Sequence, residues 1–239
     1  MTEPNESAPS ESTETESQSI SVTAPREGLP NIITTDVELA QLVTAIAGGT
    51  GPIALDAERA SGFKYSQRAY LIQLRRAGSG SHLLDPTCFA NLEPLQESLT
   101  GVDWILHAAS QDLVCLAEVG LKPTANLFDT ELAGRILGLP RVGLGPLVET
   151  QLGFSLAKEH SAADWSTRPL PDSWLNYAAL DVEFLIELWE VLETQLRDAQ
   201  KHEWALQEFD HVRRTTAPIE RVDPWRRTSG MHIIRNARE

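Results

Sequence analysis

The chain of 239 residues holds only two cysteines, Cys88 and Cys115, far apart and in no C-x-x-C pair. That scarcity excludes a disulfide scaffold and a dithiol redox motif, and two reduced thiols in a cytosolic protein are expected instead. No apolar run approaches the ~18 residues of a membrane span. The N-terminal stretch "MTEPNESAPSESTETESQSI" has no basic region and no apolar core, so it does not read as a secretory signal. There is no internal repeat. Positive charge is in short supply: 20 Lys and Arg face 34 Asp and Glu, for a formal net charge of −14. So acidic a chain does not hold nucleic acid through a broad basic surface. A polyanionic partner has to be met by local basic residues or by bound cations.

Part of the charge lies outside the expected fold. In the first thirty residues Glu3, Glu6, Glu11, Glu14, Glu16 and Glu27 oppose Arg26, a net −5 that leaves −9 for the rest. Residues 1–28 are rich in Ser, Thr, Glu and Pro and almost free of large apolar side chains. They cannot bury enough surface to offset chain entropy, which predicts a disordered acidic tail. "LPNIITT" then predicts a short strand, and Asp36 a helix cap, with the helix ending at "GGTG". "PIALDAE", "AYLIQLRR" and "SHLLD" predict strands, the last two joined by the hairpin signal "AGSG". "LEPLQESLTG" predicts a short helix, and "VDWILHA" a strand running into the helical pattern "SQDLVCLAEVG". Helical patterns follow in "DTELAGRILGL", "GLGPLVETQLG" and one long stretch, "PDSWLNYAALDVEFLIELWEVLETQLRDAQ". Early strands followed by wrapping helices predict an α/β architecture with a mixed central sheet.

The acids carry the chemistry. Residues i and i+2 of a strand share a face, so Asp56 and Glu58 in "GPIALDAERASG" project together at the carboxyl end of an apolar strand. Sheets of this class place ligands there. Two carboxylates about 4 Å apart repel by roughly 4 kcal/mol at an effective dielectric near 20. Such a pair is either a solvated strand end or is relieved by a proton, a basic side chain or a cation. Asp112 falls in the first turn of the next helix, where an acid also favours the helix dipole. Asp181 follows Tyr177 by four residues, on a helical stripe otherwise built of Ala and Leu. A carboxylate on an apolar face needs a partner. Hard divalent cations such as Mg²⁺ or Mn²⁺ take oxygen ligands, and a pair of them stabilises both oxygens of a phosphoryl displacement.

In order, "LDAERA", "HAASQD" and "YAALD" resemble the three exonuclease motifs of the DEDD superfamily in its tyrosine subtype, and more closely those of the ribonuclease D family. "RAYLIQL", "WILHAASQDL", "LFDTELAGRILG", "ADWSTRPLP" and "LNYAALDVEFL" extend the resemblance over roughly residues 30–198. It implies a ribonuclease-H-like fold with helices flanking the mixed sheet. It also implies 3′–5′ hydrolysis of RNA, such as tRNA precursors, to nucleoside 5′-monophosphates. By position, Asp56, Glu58, Asp112 and Asp181 would hold two divalent cations, Mg²⁺ or Mn²⁺, and Tyr177 would orient the attacking water. A phenol titrating near 10 is a poor bulk base at neutral pH. It need only aim a water whose acidity the cations have raised.

Several residues compete for these roles. His107 and Asp112 have the spacing of the histidine subtype, but that assignment would leave Tyr177 and Asp181 idle. His107 is expected to end its strand and bond near the cleft, touching substrate. His160 and Asp164 lie in a Ser/Ala loop, off any apolar helix face. Asp85, Asp103 and Asp129 read as turn or cap residues, with Asp129 a supporting residue ahead of Glu131. Arg59, Lys64, Arg68, Arg75 and Arg76 read either as a track for the RNA backbone or as a solvated rim. Arg168, just before the Tyr177 helix, is a further candidate for substrate contact. The expected domain spans residues 29–200. Residues 201–239 are expected to be an arginine-rich linker and the start of a helical region, and "DPWRRTSGMHIIRNARE" resembles the entry to the C-terminal domain of ribonuclease D proteins. Its shortness suggests a fragment of a longer protein. The competing functions are a DNA 3′–5′ exonuclease and a catalytically weak RNA-binding scaffold. No membrane contact is expected, no obligate protein partner can be inferred, and the location is expected to be cytoplasmic.

Overall fold

The computed structural model describes residues 19–60, 63–64, 66–156, 163–216 and 223. Eight strands and eight α-helices are described: β1 (Ile20–Val22), β2 (Ile32–Ile33), α1 (Asp36–Gly48), β3 (Thr50–Arg59), β4 (Ala69–Ala77), β5 (Gly80–Leu84), α2 (Glu93–Ser98), β6 (Trp104–Leu106), α3 (Asp112–Glu118), β7 (Leu127–Asp129), α4 (Thr130–Leu137), α5 (Leu144–Leu152), β8 (Phe154–Leu156), α6 (Asp172–Glu183), α7 (Leu185–Asp198) and α8 (His202–Thr215). A six-stranded sheet runs in the order β2-β5-β4-β3-β6-β7. β3 pairs antiparallel with β4 and parallel with β6, so the sheet is mixed, as the sequence predicted.

Alternation along the central strands divides the sheet into two faces. Leu55, Ile72, Leu74, Trp104 and Leu106 bury one face together with α1, α2 and α3 side chains such as Leu42, Leu95 and Leu116. Ala54, Ile105 and Phe128 meet α7 and α8 on the other face, where Leu71 and Leu83 meet α6. Asp56 and Glu58 alternate with Leu55 and Ala57, and so emerge on the α6 face at the carboxyl end of β3.

Four expectations change. The helix after residue 35 is capped by Thr35, not Asp36: Thr35 Oγ1 accepts from the Glu38 N–H while Glu38 reaches back to the Thr35 N–H. The long helical stretch is two helices, α6 and α7, broken at the buried Phe184, whose ψ is 3°. The apolar period runs on through the break, so periodicity cannot see it. The kink lets α6 pack on β4 and β5 while α7 packs across β6. Third, residues 20–22 are not tail: β1 pairs in parallel with β8. A strand of three residues in a Ser/Thr/Glu-rich setting is too short to show in composition. Finally, residues 202–215 are α8, whose Phe209 packs on Phe128 with ring centroids 4.7 Å apart. Only Ala205, Phe209 and Val212 mark its inner stripe, and the arginines around it mask the pattern. Residues 1–18 and most of 217–239 lie outside the described residues.

Candidate active site

β3 delivers Asp56 and Glu58, and α6 delivers Asp181 one turn after Tyr177. Carboxylate oxygens of Asp56, Glu58 and Asp181 all lie within 4.8 Å of one another. Asp112, the first residue of α3, lines the same cleft beside them. Tyr177, one turn before Asp181 on α6, lines the same cleft. The cleft they line has a volume of about 260 Å³ and also receives Arg59, His107 and Gln111.

Desolvation and mutual repulsion dominate here. Loss of water pushes the Asp56 carboxyl up to about 6. Desolvation, then the charges of Asp56, Asp181 and Asp112, hold Glu58 well above the usual range. Desolvation and Asp56 do the same to Asp112 and Asp181. Tyr177 is raised by desolvation and by the Asp181 and Glu58 charges, so its phenol stays protonated at neutral pH. Among the described lining residues Arg59 is the one fixed cation, and its guanidinium donates to Gln111 Oε1 at 3.2 Å. One guanidinium does not neutralise four acids, so the cluster favours protons or added cations.

The turn that carries Asp112 is held from behind by Asp129. Its two carboxylate oxygens accept the N–H groups of Ala108 at 3.1 Å and Ala109 at 2.9 Å. The same side chain caps α4 through the N–H groups of Glu131 and Leu132. Ala108 sits at φ 55°, a left-handed conformation uncommon for a residue with a side chain. Asp129 thus supports the cleft, as expected, and is not among the grouped oxygens. His107 lines the cleft with its ring Nδ1 2.9 Å from Thr130 Oγ1. Desolvation lowers it to about 4, so it is neutral at pH 7.

The basic residues divide differently from expectation. Arg168 is a structural clamp: its Nε donates to Asp85 at 2.6 Å, and its other nitrogens donate to the carbonyls of Trp165, Thr167 and Tyr70 at 2.7–2.8 Å. Four of its five N–H groups are thereby used within the fold, and it does not line the cleft. Burial alone would raise Asp85, but Arg168 and Thr87 hold its carboxyl below the usual range. Arg68 donates to the Pro86 carbonyl and does not line the cleft. Arg76 binds the carbonyls of Ile46 and Gly51, and Arg75 pairs with Glu27 and Glu183. Lys64 is exposed. Of that basic group, Arg59 is the member that reaches the acids. Asp164 folds back on Ser166 in a turn, and His160 lies outside the described residues.

Gln73 was missed by sequence reasoning. It sits opposite Asp56 in the β3–β4 ladder, fully buried, and its Nε2 donates to Glu58 Oε1 at 3.3 Å. A lone polar residue in the apolar run "YLIQL" was the available signal.

The profile of the 3′–5′ exonuclease family matches residues 30–197, an interval that holds all four acids and Tyr177 in order. The chain belongs to the 3′–5′ exonuclease family. Among curated relatives, ribonuclease D of Jannaschia sp. (strain CCS1) is 34% identical over 211 residues, which cover 83% of this chain and 53% of the relative. The crystal structure of a protein from Bifidobacterium adolescentis is 44% identical with TM-score 0.83, covering 90% of this chain and 53% of that one. The crystal structure of Escherichia coli RNase D, described as an exoribonuclease involved in structured RNA processing, is 30% identical with TM-score 0.69. It covers 86% of this chain and 56% of that one. This exonuclease chain spans about half the length of the curated relatives it matches. The mixed α/β fold agrees with that of these neighbours. Among the described residues, no helix is long and apolar enough to cross a membrane.

Proposed function

We propose that the chain is a divalent-cation-dependent 3′–5′ exoribonuclease that releases nucleoside 5′-monophosphates from RNA ends. The observation that carries this is the gathering of Asp56, Glu58 and Asp181 oxygens within 4.8 Å, with Asp112 and one arginine lining the same cleft. The donors are all oxygen and their repulsion has little internal relief, a set that fits hard divalent cations, Mg²⁺ or Mn²⁺. Asp56, Glu58, Asp112 and Asp181 would hold two of them. When bound, such ions stabilise the attacking and leaving oxygens of an in-line displacement and raise the acidity of water.

The chain's own groups do the remaining work. Tyr177, one turn before Asp181 in the cleft, holds the attacking water by its hydroxyl and aims it at the terminal phosphorus. The water oxygen bonds to phosphorus as the P–O3′ bond breaks, the freed 3′ oxygen takes up a proton, and a nucleoside 5′-monophosphate leaves. Arg59 meets a non-bridging phosphate oxygen at the cleft edge, and neutral His107 hydrogen-bonds the terminal nucleotide. The description of the E. coli relative supports structured RNA as the substrate, and tRNA precursors are the members of that class the proposal names. In this proposal the protein works on that RNA in the cytoplasm.

The test is a 5′-labelled RNA and a DNA of the same sequence, incubated with Mg²⁺, Mn²⁺ or EDTA. The proposal expects the RNA to shorten from its 3′ end with either cation and not in EDTA, and DNA to shorten more slowly because it lacks the 2′-hydroxyl. Equal or faster loss of DNA would favour the DNA exonuclease. RNA binding with no shortening under any cation would favour the scaffold and overturn the proposal.

A further inference from the structure

The break between α6 and α7 is gripped by the N-terminal segment. Arg26 Nε donates to Glu183 Oε1 at 2.7 Å, its backbone N–H reaches the same oxygen at 3.4 Å, and its Nη2 donates to the Glu183 carbonyl at 3.1 Å. Nη2 also meets Glu187 Oε1 at 2.5 Å, and the guanidinium carbon lies 4.7 Å from the centre of the Phe184 ring. One side chain thus holds the last residue of α6, the non-helical residue after it and the first turn of α7. Glu183 is fully buried, and Arg75 of β4 lies 3.6 Å from its other oxygen. Arg75 in turn meets Glu27 at 3.5 Å. The segment is fixed upstream by the β1–β8 pairing and by the Ile20 N–H on the Gly153 carbonyl at 2.8 Å.

Asp181 stands two residues before Glu183 on α6. A helix that ends at a hinge can pivot there, and a shift of the hinge moves Asp181 against Asp56 and Glu58, which are fixed in β3. Coordination distances tolerate only about 0.2 Å of error. Arg26 lies ahead of the residues matched by the family profile, so the exonuclease motifs do not include it.

We infer that Arg26 is a positioning residue: residues 19–28 form a strap that sets the place of the Asp181 carboxylate through the Arg26–Glu183–Arg75 network, and so sets the affinity of the acid cluster for its cations. This rests on the reading of those acids as a metal site. The test titrates Mn²⁺ calorimetrically into the full chain and, separately, finds the Mn²⁺ concentration for half-maximal RNA cleavage. Arg26→Ala should weaken Mn²⁺ binding about tenfold or more, as loss of supporting contacts does at metal sites. Its rate at saturating Mn²⁺ should fall much less. Arg26→Lys keeps one ion pair and should recover part of the affinity. Leu39→Ala, a core truncation in α1, is the control for lost stability and should leave Mn²⁺ affinity unmoved. Should Arg26→Ala not fold, Arg26→Gln takes its place beside Arg26→Lys. Wild type that binds no Mn²⁺ would sink the metal-site reading itself. Wild type that binds while the Arg26 variants bind equally well, or weaken only as much as Leu39→Ala, would overturn the strap.

Discussion

Asp181 and Glu183 stand two residues apart on one helix, and the protein treats them in opposite ways. Glu183 is sealed from water and meets two arginines, Arg26 and Arg75. Asp181 faces three other acids, and the nearest cation of the cleft, Arg59, is not its partner in any ion pair among the described residues. A buried carboxylate with arginines is a structural tie, since removing either partner strands the other charge. A carboxylate packed among its own kind does not tie the fold together. It holds the cluster ready for something positive brought from outside. The contrast assigns roles to residues that composition alone does not separate.

Exchanging charge for amide at each position breaks the comparison most sharply. Asp181→Asn should lower RNA cleavage by more than the ~10²–10³-fold that follows loss of one electrostatic stabiliser. Its cation-free melting temperature should hold or rise, because one like charge has gone. Steady-state cleavage and thermal melting in EDTA measure the two effects. Near-wild-type cleavage would mean that Asp181 is not a ligand.

Tyr177→Phe sharpens the comparison within the cleft. The ring stays packed and the four acids remain, so cation binding should persist and stability should fall by only about 1 kcal/mol. Single-turnover cleavage at saturating Mn²⁺ should fall by roughly 10²–10⁴-fold, the range for a positioned proton-handling group. His107→Ala should lose less. If His107→Ala loses more while Tyr177→Phe stays within a few-fold of wild type, the histidine-subtype assignment is correct.

Glu183→Gln is the mirror experiment. It leaves Arg26 and Arg75 without their buried partner and should cost stability, about 3 kcal/mol, the low end for a broken buried pair because Arg26 is 44% exposed. Denaturant melts at constant slope test this. A variant as stable as wild type would show that the network is not a tie.

The smallest effect is on pH. Asp56, Glu58, Asp112 and Asp181 all have folded-state pKa values above their unfolded ones, Asp56 at about 6. Below the unfolded values both states are protonated and the cluster takes nothing from stability. As pH rises the unfolded chain ionises freely while the folded cluster resists, so stability is lost with rising pH. The lowered pKa values of His107 and His82 act in the opposite sense, with stability lost as pH falls below 6.5. Above about pH 7.5 both are neutral in either state, and Asp56 is ionised. Between pH 7.5 and 8.5 the melting temperature in EDTA should therefore fall through Glu58, Asp112 and Asp181, which are held well above the usual range, and Mn²⁺ should flatten the slope. A rising slope in EDTA would contradict the crowding of the acids.

Much of the site was legible because its geometry is local. Period two puts Asp56 and Glu58 on one face, and a spacing of four puts Tyr177 beside Asp181. Their meeting with Asp112 needed the resemblance, since no local rule brings β3, α3 and α6 together. Arg168 was read as a substrate contact just before the Tyr177 helix, and its bond to Asp85, far away in sequence, was not legible. The strap was hidden for the same reason, because β1 has its partner in β8 and Arg26 its partner in Glu183. Phe184 was invisible in another way, as an apolar residue at a helical position that departs only in its backbone angles, φ −114° and ψ 3°.

Calorimetric titration of Mn²⁺ into wild type and Asp181→Asn, at pH 7.5 after chelation, tests the central claim most directly. The account predicts saturable binding to wild type that EDTA reverses, and loss of at least one binding event in the variant with the fold intact. No binding to wild type, or the same binding to both proteins, would contradict it.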